Sequence, residues 1–229
     1  MRSTTPLPGE PWPHDMIITV EDRPHALLEL LWIREAHALR TVGDAHPPAL
    51  VDPPALVDPP APAARPVDEA TRERWSEIWP RIWDAVVAHT AIETDPGVQE
   101  RAFHSKTSAE ERAALLREMA GPTARDEFGT DVFDDAAYRE WEQRGAHSHT
   151  ATHLTTLAES PERRDVGTLA DAWRRGLSKV VTVPCRGTYA RQVSSRALLV
   201  SEEVRRDSTA CHAVLDAFGR NPRQGPRSD

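Results

Sequence analysis

Hydrophobic residues in the first half of the chain recur at the spacing of an α-helix. Residues 23–40 are apolar around most of the helical circumference, which predicts a deeply packed helix whose start is marked by Asp22 and Pro24. Asp68 marks the start of a second helix, whose apolar residues recur every three or four positions: Trp75, Ile78, Trp79, Ile82 and Val86. Pro80 lies inside this pattern and predicts a kink or a break there, because proline lacks the N–H and clashes with the preceding turn.

Three tryptophans of this second helix, Trp75, Trp79 and Trp83, are spaced four residues apart. A face of this kind favours packing in the protein core. The alternative is a stacking platform for bases or sugars.

Four further helices are predicted from their start and stop signals. Residues 108–121 begin with a capping box and end at a glycine, and residues 134–144 form an acidic helix that we expect to end at Gly145. Residues 160–177 begin with Ser-Pro, and their apolar residues Leu169, Trp173 and Leu177 are spaced four positions apart. A last helix is predicted over residues 207–219, with an aspartate as its cap and a glycine as its stop.

The pattern changes from helical to strand-like in the last third of the chain. Residues 180–184, 188–193 and 197–201 are short β-prone runs separated by turn residues, which predicts consecutive antiparallel strands. The β-branched run at residues 16–20 is a candidate fourth strand of the same sheet. The expected fold class is therefore α+β, mainly helical, with a small, mostly antiparallel sheet in the C-terminal third.

A proline-rich stretch at residues 43–66 separates the first helix from the second. It contains the hexapeptide PPALVD twice, at residues 47–52 and 53–58, and paired prolines cannot build a helix or a ladder. The stretch is interpreted as a linker, and a docking segment for an aromatic groove is the alternative. The expected organisation is a flexible N-terminal segment, a strand plus helix packed on the main domain, the linker, the main α+β domain and a disordered tail: 1–15, 16–42, 43–66, 67–219 and 220–229.

Composition excludes several classes of function. The net charge of -8 and the pI near 5.7 argue against broad nucleic-acid binding. Cys185 and Cys211 match neither a disulfide framework nor a zinc-binding pattern. Because the sequence has no apolar run that fits a signal peptide or a membrane span, we expect a cytoplasmic protein with no membrane partner.

Three histidines lie within seven positions in the segment RGAHSHTATH. If residues 146–150 are extended, His147 and His149 project to the same side, and His153 could close over the same point. Asp131 is a candidate for the missing ligand, and the cofactor would be a divalent metal. The alternative is a polar, exposed connection after Gly145.

Two other groups are candidates for ligand contact. Asp131, Asp134 and Asp135 could hold Mg²⁺ beside a phosphorylated ligand, although a capping role for Asp134 and a first-turn position for Asp135 account for two of the three more simply. The second group surrounds the turn after residue 184 and could bind a carboxylate or a phosphate through forked donors: Arg186, Thr188, Tyr189, Arg191 and Arg196. A solvated hairpin is the alternative for this second group.

Two classes of function follow from these candidates. The favoured hypothesis is a cytosolic binding or interaction protein whose arginine-rich hairpin contacts a small anionic ligand or an acidic protein partner. The alternative is a metal-dependent hydrolase built on His147, His149 and His153. The sequence contains no P-loop, no dinucleotide-binding glycine motif and no nucleophile elbow that would favour a known enzyme class.

Overall fold

The computed structural model describes residues 11–41, 46–51, 64–93, 96–152 and 160–220, with the backbone alone for residues 96 and 148–152. Within these residues the chain forms four strands and ten helices. The strands are β1 (Thr19–Asp22), β2 (Lys179–Val183), β3 (Ala190–Gln192) and β4 (Ala197–Ser201). The helices are α1 (His25–Ala36), α2 (Glu69–Thr90), α3 (Pro96–Phe103), α4 (Ala109–Ala120), α5 (Ala124–Phe128), α6 (Ala136–Thr152), α7 (Pro161–Arg164), α8 (Val166–Arg174), α9 (Glu202–Arg206) and α10 (Ser208–Ala217).

The four strands form one mixed sheet in the order β1-β2-β4-β3. The α+β class is confirmed, and an N-terminal strand joins the sheet at residues 19–22 rather than at the predicted 16–20, but the prediction of a mostly antiparallel sheet is wrong. β1 pairs parallel with β2 and β2 pairs parallel with β4, so that only β3 and β4 are antiparallel. Every residue of β2 and β4 is buried, which is typical of central parallel strands covered on both faces. Turn signals identified the strands but not their partners.

One face of the sheet packs against α1 and α2. Successive strand residues point to opposite faces, and Val181 and Leu199 lie on this side. They contact what we call the aromatic cluster, in which each ring is at most 6% exposed: Trp32, Trp75, Trp79, Trp83, Phe128, Phe133, Tyr138 and Trp141. The Trp79 and Trp83 rings stack with centroids 5.2 Å apart. Core packing of the tryptophans of α2 is therefore confirmed.

The opposite face of the sheet packs against α8 and α10. Val180, Leu198 and Val200 point to this side and form what we call the aliphatic cluster with residues of these helices and their flanking segments: Met16, Leu169, Ala170, Ala172, Leu177, Val204, Leu215 and Phe218. The sheet thus lies between two helical layers. Within the described residues, no helix has the length and apolar character needed to cross a membrane.

Two helices continue past the residues at which interruptions were predicted. α2 continues through Pro80, so the helix does not break there, and the kink given as the alternative stays a prediction. α6 continues to Thr152 through Gly145, so the predicted end at that glycine is wrong. A single glycine inside a helix costs only about 1 kcal/mol relative to alanine. Here it also makes room for a neighbour, since a Cβ on Gly145 would lie 2.7 Å from Nη2 of Arg23.

The first part of the predicted linker packs on the sheet. Leu50 is 1% exposed and belongs to the same hydrophobic core as the aromatic cluster. It forms an isolated antiparallel bridge with Cys185, which follows β2. Residues 52–63, residues 1–10 and the predicted tail from 221 onward lie outside the described residues.

Candidate functional site

The arginine-rich segment after β2 is engaged with other parts of the chain. Arg186 donates from Nε to the carbonyl oxygen of Leu50 at 3.0 Å and from Nη2 to that of Val51 at 3.3 Å. Its own backbone N–H donates to the carbonyl of Ala49 at 2.9 Å. Arg186 therefore holds the first part of the linker, and Thr188 beside it is exposed.

The other two arginines of this segment form ion pairs with acidic residues that lie far away in sequence. Arg191 donates to Asp84 of α2 at 2.7 Å, and Arg196 donates to both carboxylate oxygens of Glu93 at 3.0 and 3.1 Å. Tyr189 is buried, and this desolvation raises its pKa to about 12. Anion binding here stays a prediction, and an anion would have to compete with Asp84 and Glu93.

The structure places the four predicted metal ligands as follows. His147 is exposed on α6, and Asp131 is exposed in the turn before that helix. His149 lies in α6 without a described side chain, and His153 lies outside the described residues. Residues 146–150 lie in α6, so the extended geometry proposed for them is wrong. Residues two apart share a side on a strand, but on a helix they lie about 200° apart. Metal binding itself stays a prediction.

The carboxylate that caps α6 is Asp135 and not, as predicted, Asp134. Its Oδ1 accepts the N–H of Ala137 at 3.0 Å, and its Oδ2 accepts the N–H of Arg65 at 2.8 Å. Burial alone would raise the pKa of Asp135, but these two backbone donors outweigh it and hold the pKa below its usual range. A capping role therefore accounts for this carboxylate.

The turn between β1 and α1 is the centre of a polar network that sequence reasoning missed. Asp22, at the end of β1, accepts hydrogen bonds from Thr182 Oγ1 at 2.6 Å and from Arg205 Nη1 at 2.9 Å. Arg205 also donates to Glu162 at 2.7 Å, so it bridges two carboxylates. Arg23 follows with a φ of 54°, a left-handed conformation that is uncommon for a residue with a side chain. Strained backbone of this kind is often found at functional sites.

His25, in the first turn of α1, lies between two carboxylates. Its Nε2 is 3.0 Å from Glu142 Oε1 and 3.2 Å from the hydroxyl of Tyr138, and its Nδ1 is 3.7 Å from Glu29 Oε1. Glu29 is 2% exposed and accepts a 2.7 Å hydrogen bond from Arg125 Nε. Burial, reinforced by the charges of Glu29 and Glu142, raises the pKa of Tyr138 far above its ordinary value. Tyr138 is therefore a hydrogen-bond donor at any physiological pH.

An open cleft of about 430 Å³ is lined by His25 and by Glu21 of β1, among other residues. This volume is within the range of small-molecule sites. Its polar lining comes from β1, β2, α1, α2, α4 and the segment after α2: Glu21, His25, His89, Thr90, Glu93, Glu118 and Lys179. Lys179 pairs with Glu21 at 2.7 Å. We call this space the β1 cleft.

A glycine fixes one wall of the β1 cleft. His89 Nε2 is 3.0 Å from the carbonyl oxygen of Met119, so this nitrogen carries a proton, and in the neutral imidazole Nδ1 is then the acceptor. Gly121 has a φ of 66°, and a Cβ there would lie 2.3 Å from the His89 ring. Only glycine therefore leaves space for this imidazole.

The residues around His25 come from segments that are far apart in sequence, which is why no motif identifies them. The sequence signal for this group of residues was Glu29, because it places an acidic side chain inside the apolar run ALLELLWI, which predicts a deeply packed helix. Comparison with known proteins gives no match, whether to a family model, to a curated protein or to a solved structure.

Proposed function

We propose that the protein is a binding protein that holds a small cationic ligand, such as an organic amine, in the β1 cleft. The observation that carries the proposal is the carboxylate of Glu118 in the lining, which has no ion pair in the described part of the chain, whereas Glu21 pairs with Lys179 and Glu93 with Arg196. The class of function is the one favoured from the sequence. The sign of the ligand charge is reversed, because Arg191 and Arg196 already have acidic partners.

The charges in the β1 cleft leave one carboxylate for a ligand. Lys179 is paired with Glu21, and Glu93 is paired with Arg196. Glu118, on α4, makes no ion pair within the described part of the chain. A hydrogen-bonded ion pair between an ammonium group and Glu118 would therefore displace no existing partner.

The two histidines supply the remaining polar contacts. In the neutral imidazole, Nδ1 of His89 accepts a hydrogen bond from an ammonium or hydroxyl group of the ligand. His25 also lines the cleft, with a side chain that is 58% exposed.

The proposal is tested by calorimetric titration with putrescine as the probe. Butane-1,4-diol and succinate serve as the neutral and anionic analogues of the same chain length. We expect binding of putrescine alone, and about a tenfold loss of affinity in E118Q, which corresponds to about 1.4 kcal/mol. E100Q, an equal charge change on the exposed side of α3, is the matched control.

Two results would contradict the proposal. Equal binding of putrescine and the diol would show that charge plays no part, and equal affinities of E118Q and E100Q would show that the cleft is not the site. Binding of succinate that is lost in R186A would instead support the arginine-rich segment as an anion site.

A further inference from the structure

We propose that the site occupied by residues 47–51 accepts the second copy of the same hexapeptide, residues 53–58, as an alternative occupant. The connection between α1 and α2 then has two registers, which differ by six residues. We call the site the PPALV slot and define it by Arg34, Trp79, Pro184, Cys185 and Arg186.

Arg34, on α1, forms one end of the PPALV slot. This arginine is 6% exposed, and its guanidinium lies over the Trp79 ring with 5.4 Å to the centroid. Nη1 donates to the carbonyl of Pro47 at 2.6 Å, and Nη2 donates to the carbonyl of Pro48 at 2.7 Å. Both contacts are made to backbone oxygens, and a proline residue has no competing N–H.

Arg186 and its neighbours form the other end of the slot. The backbone N–H of Val51 donates to the carbonyl of Pro184 at 2.9 Å, and the N–H of Arg186 donates to the carbonyl of Ala49 at 2.9 Å. The Arg186 side chain adds the bond to the carbonyl of Leu50 described above. The occupant is thus held by the pattern of a short antiparallel strand.

Leu50 supplies the apolar anchor of the occupant. Its side chain is 1% exposed, whereas that of Val51 is 46% exposed. A recognition rule follows: two proline carbonyls, one buried leucine two residues after the second proline, and an extended backbone.

The second copy satisfies this rule without any change. Residues 47–54 and residues 53–60 both read PPALVDPP. Every backbone group and the leucine that contact the slot therefore recur six positions later, with Leu56 in the place of Leu50. No atom of the slot distinguishes the two copies through the hexapeptide itself.

The exchange also changes the lengths of the flanking segments. Before the slot, the chain is fixed at Leu39, which is buried, and at Arg40, whose backbone N–H donates to Ser76. After the slot, the chain is fixed at Arg65, whose backbone N–H donates to Asp135. Residues 41–46 and 53–63 therefore flank the first copy. Residues 41–52 and 59–63 would flank the second copy. Lengths of 6 and 11 residues become 12 and 5. Because the entropy cost of closing a flexible segment depends on the logarithm of its length, the summed cost for the two flanking segments is nearly equal in the two registers.

The residue before the hexapeptide makes the first register the favoured one. His46 precedes the first copy, and its ring makes an edge contact with Trp79 at 5.3 Å between centroids. Asp52 precedes the second copy and cannot replace this aromatic contact. We therefore expect the second register as a minor population in the natural sequence.

Cross-linking to Cys185 tests the exchange directly. Leu50 and Cys185 form a pair without mutual hydrogen bonds, and such pairs have a Cα–Cα distance of about 4.5 Å, which suits a disulfide. In a C211S background, diamide should cross-link L50C fully and L56C in part. Adding L50D to L56C should raise the yield of the intramolecular cross-link to Cys185 several-fold. V57C, tested in the same way, should stay uncross-linked.

Thermal unfolding provides the second arm. L56D should leave the melting temperature unchanged, L50D should lower it moderately, and L50D/L56D should lower it much further. In L30D, which removes a buried leucine outside the slot, adding L56D should have no effect.

Three outcomes would overturn the proposal. The first is the absence of any L56C cross-link, with or without L50D. The second is a melting temperature of L50D equal to that of L50D/L56D. The third is a cross-link of L56C that appears only between two chains, since the occupant would then come from another molecule.

Discussion

The two faces of the sheet are covered by different kinds of side chain. Five tryptophans, Trp32, Trp75, Trp79, Trp83 and Trp141, are buried on the face of α1 and α2. The remaining two, Trp12 and Trp173, lie partly exposed beside the aliphatic cluster on the other face. An indole brings a polar N–H into the core together with its large apolar area.

The aromatic face consequently contains polar groups without partners. In the described part of the chain, the buried Nε1–H groups of Trp32, Trp75 and Trp83 donate no hydrogen bond, and one ring nitrogen each of His37 and His46 has no hydrogen-bond partner. A buried unpaired donor costs about 1–3 kcal/mol. The aromatic face therefore combines large buried rings with unpaired polar groups, and its tryptophans should respond unequally to substitution.

The largest difference between the faces is expected from W79A. Trp79 is fully buried, stacks on Trp83 and donates to the carbonyl of Leu30 at 2.7 Å. Its loss should lower the free energy of unfolding by about 4 kcal/mol, measured by urea denaturation. W173A, on the aliphatic face, should cost less than half as much. Equal losses would mean that the two faces contribute alike.

A sharper comparison uses two conservative changes within α2. W79F removes a satisfied N–H and should cost about 1–3 kcal/mol more than W83F, which removes an unpaired one. Both variants lose a similar volume, so packing is matched. The same urea denaturation measures the difference. A larger cost for W83F would show that its indole N–H has an important partner.

As the pH is lowered, the buried histidines of the aromatic face should reduce the stability of the fold before the carboxylates become protonated. Desolvation is the main cause that lowers the pKa of His37 and of His46 in the folded protein. The unfolded chain then binds more protons below about pH 6.5, so stability is present above that pH and is lost as the pH falls below it. The melting temperature should drop between pH 7 and pH 5, and H37Q/H46Q should reduce that drop. An unchanged pH profile in this double variant would contradict the assignment.

The smallest effect is expected at the arginine-rich segment. Arg191 pairs with Asp84, whose side chain is 55% exposed, and pairs in contact with solvent contribute about 0–1 kcal/mol. R191A should therefore shift the urea midpoint little, and less in high salt. A loss comparable to that of W79F would show that this ion pair is a structural element of the sheet edge.

The sequence predicts the aromatic face better than the sheet or the candidate site. The spacing of Trp75, Trp79 and Trp83 is a local signal, and all three are buried as expected. The pairing of β2 with β4 depends on β3 lying at the sheet edge, which no local pattern encodes. Likewise His25 meets Glu142 only because two helices that are 117 residues apart in sequence come together.

The position of β1 in the sheet has a consequence for synthesis of the chain. Asp22 of β1 contacts Thr182 of β2 across a separation of 160 residues. A ribosome adds about 5–20 residues per second, so β1 waits roughly 8–32 s for its partner strand to be made. During that interval the leucine-rich surface of α1 has only α2 and its neighbours to cover it. We therefore expect nascent chains that stop before residue 179 to be bound by chaperones, whereas chains that extend past residue 201 are released.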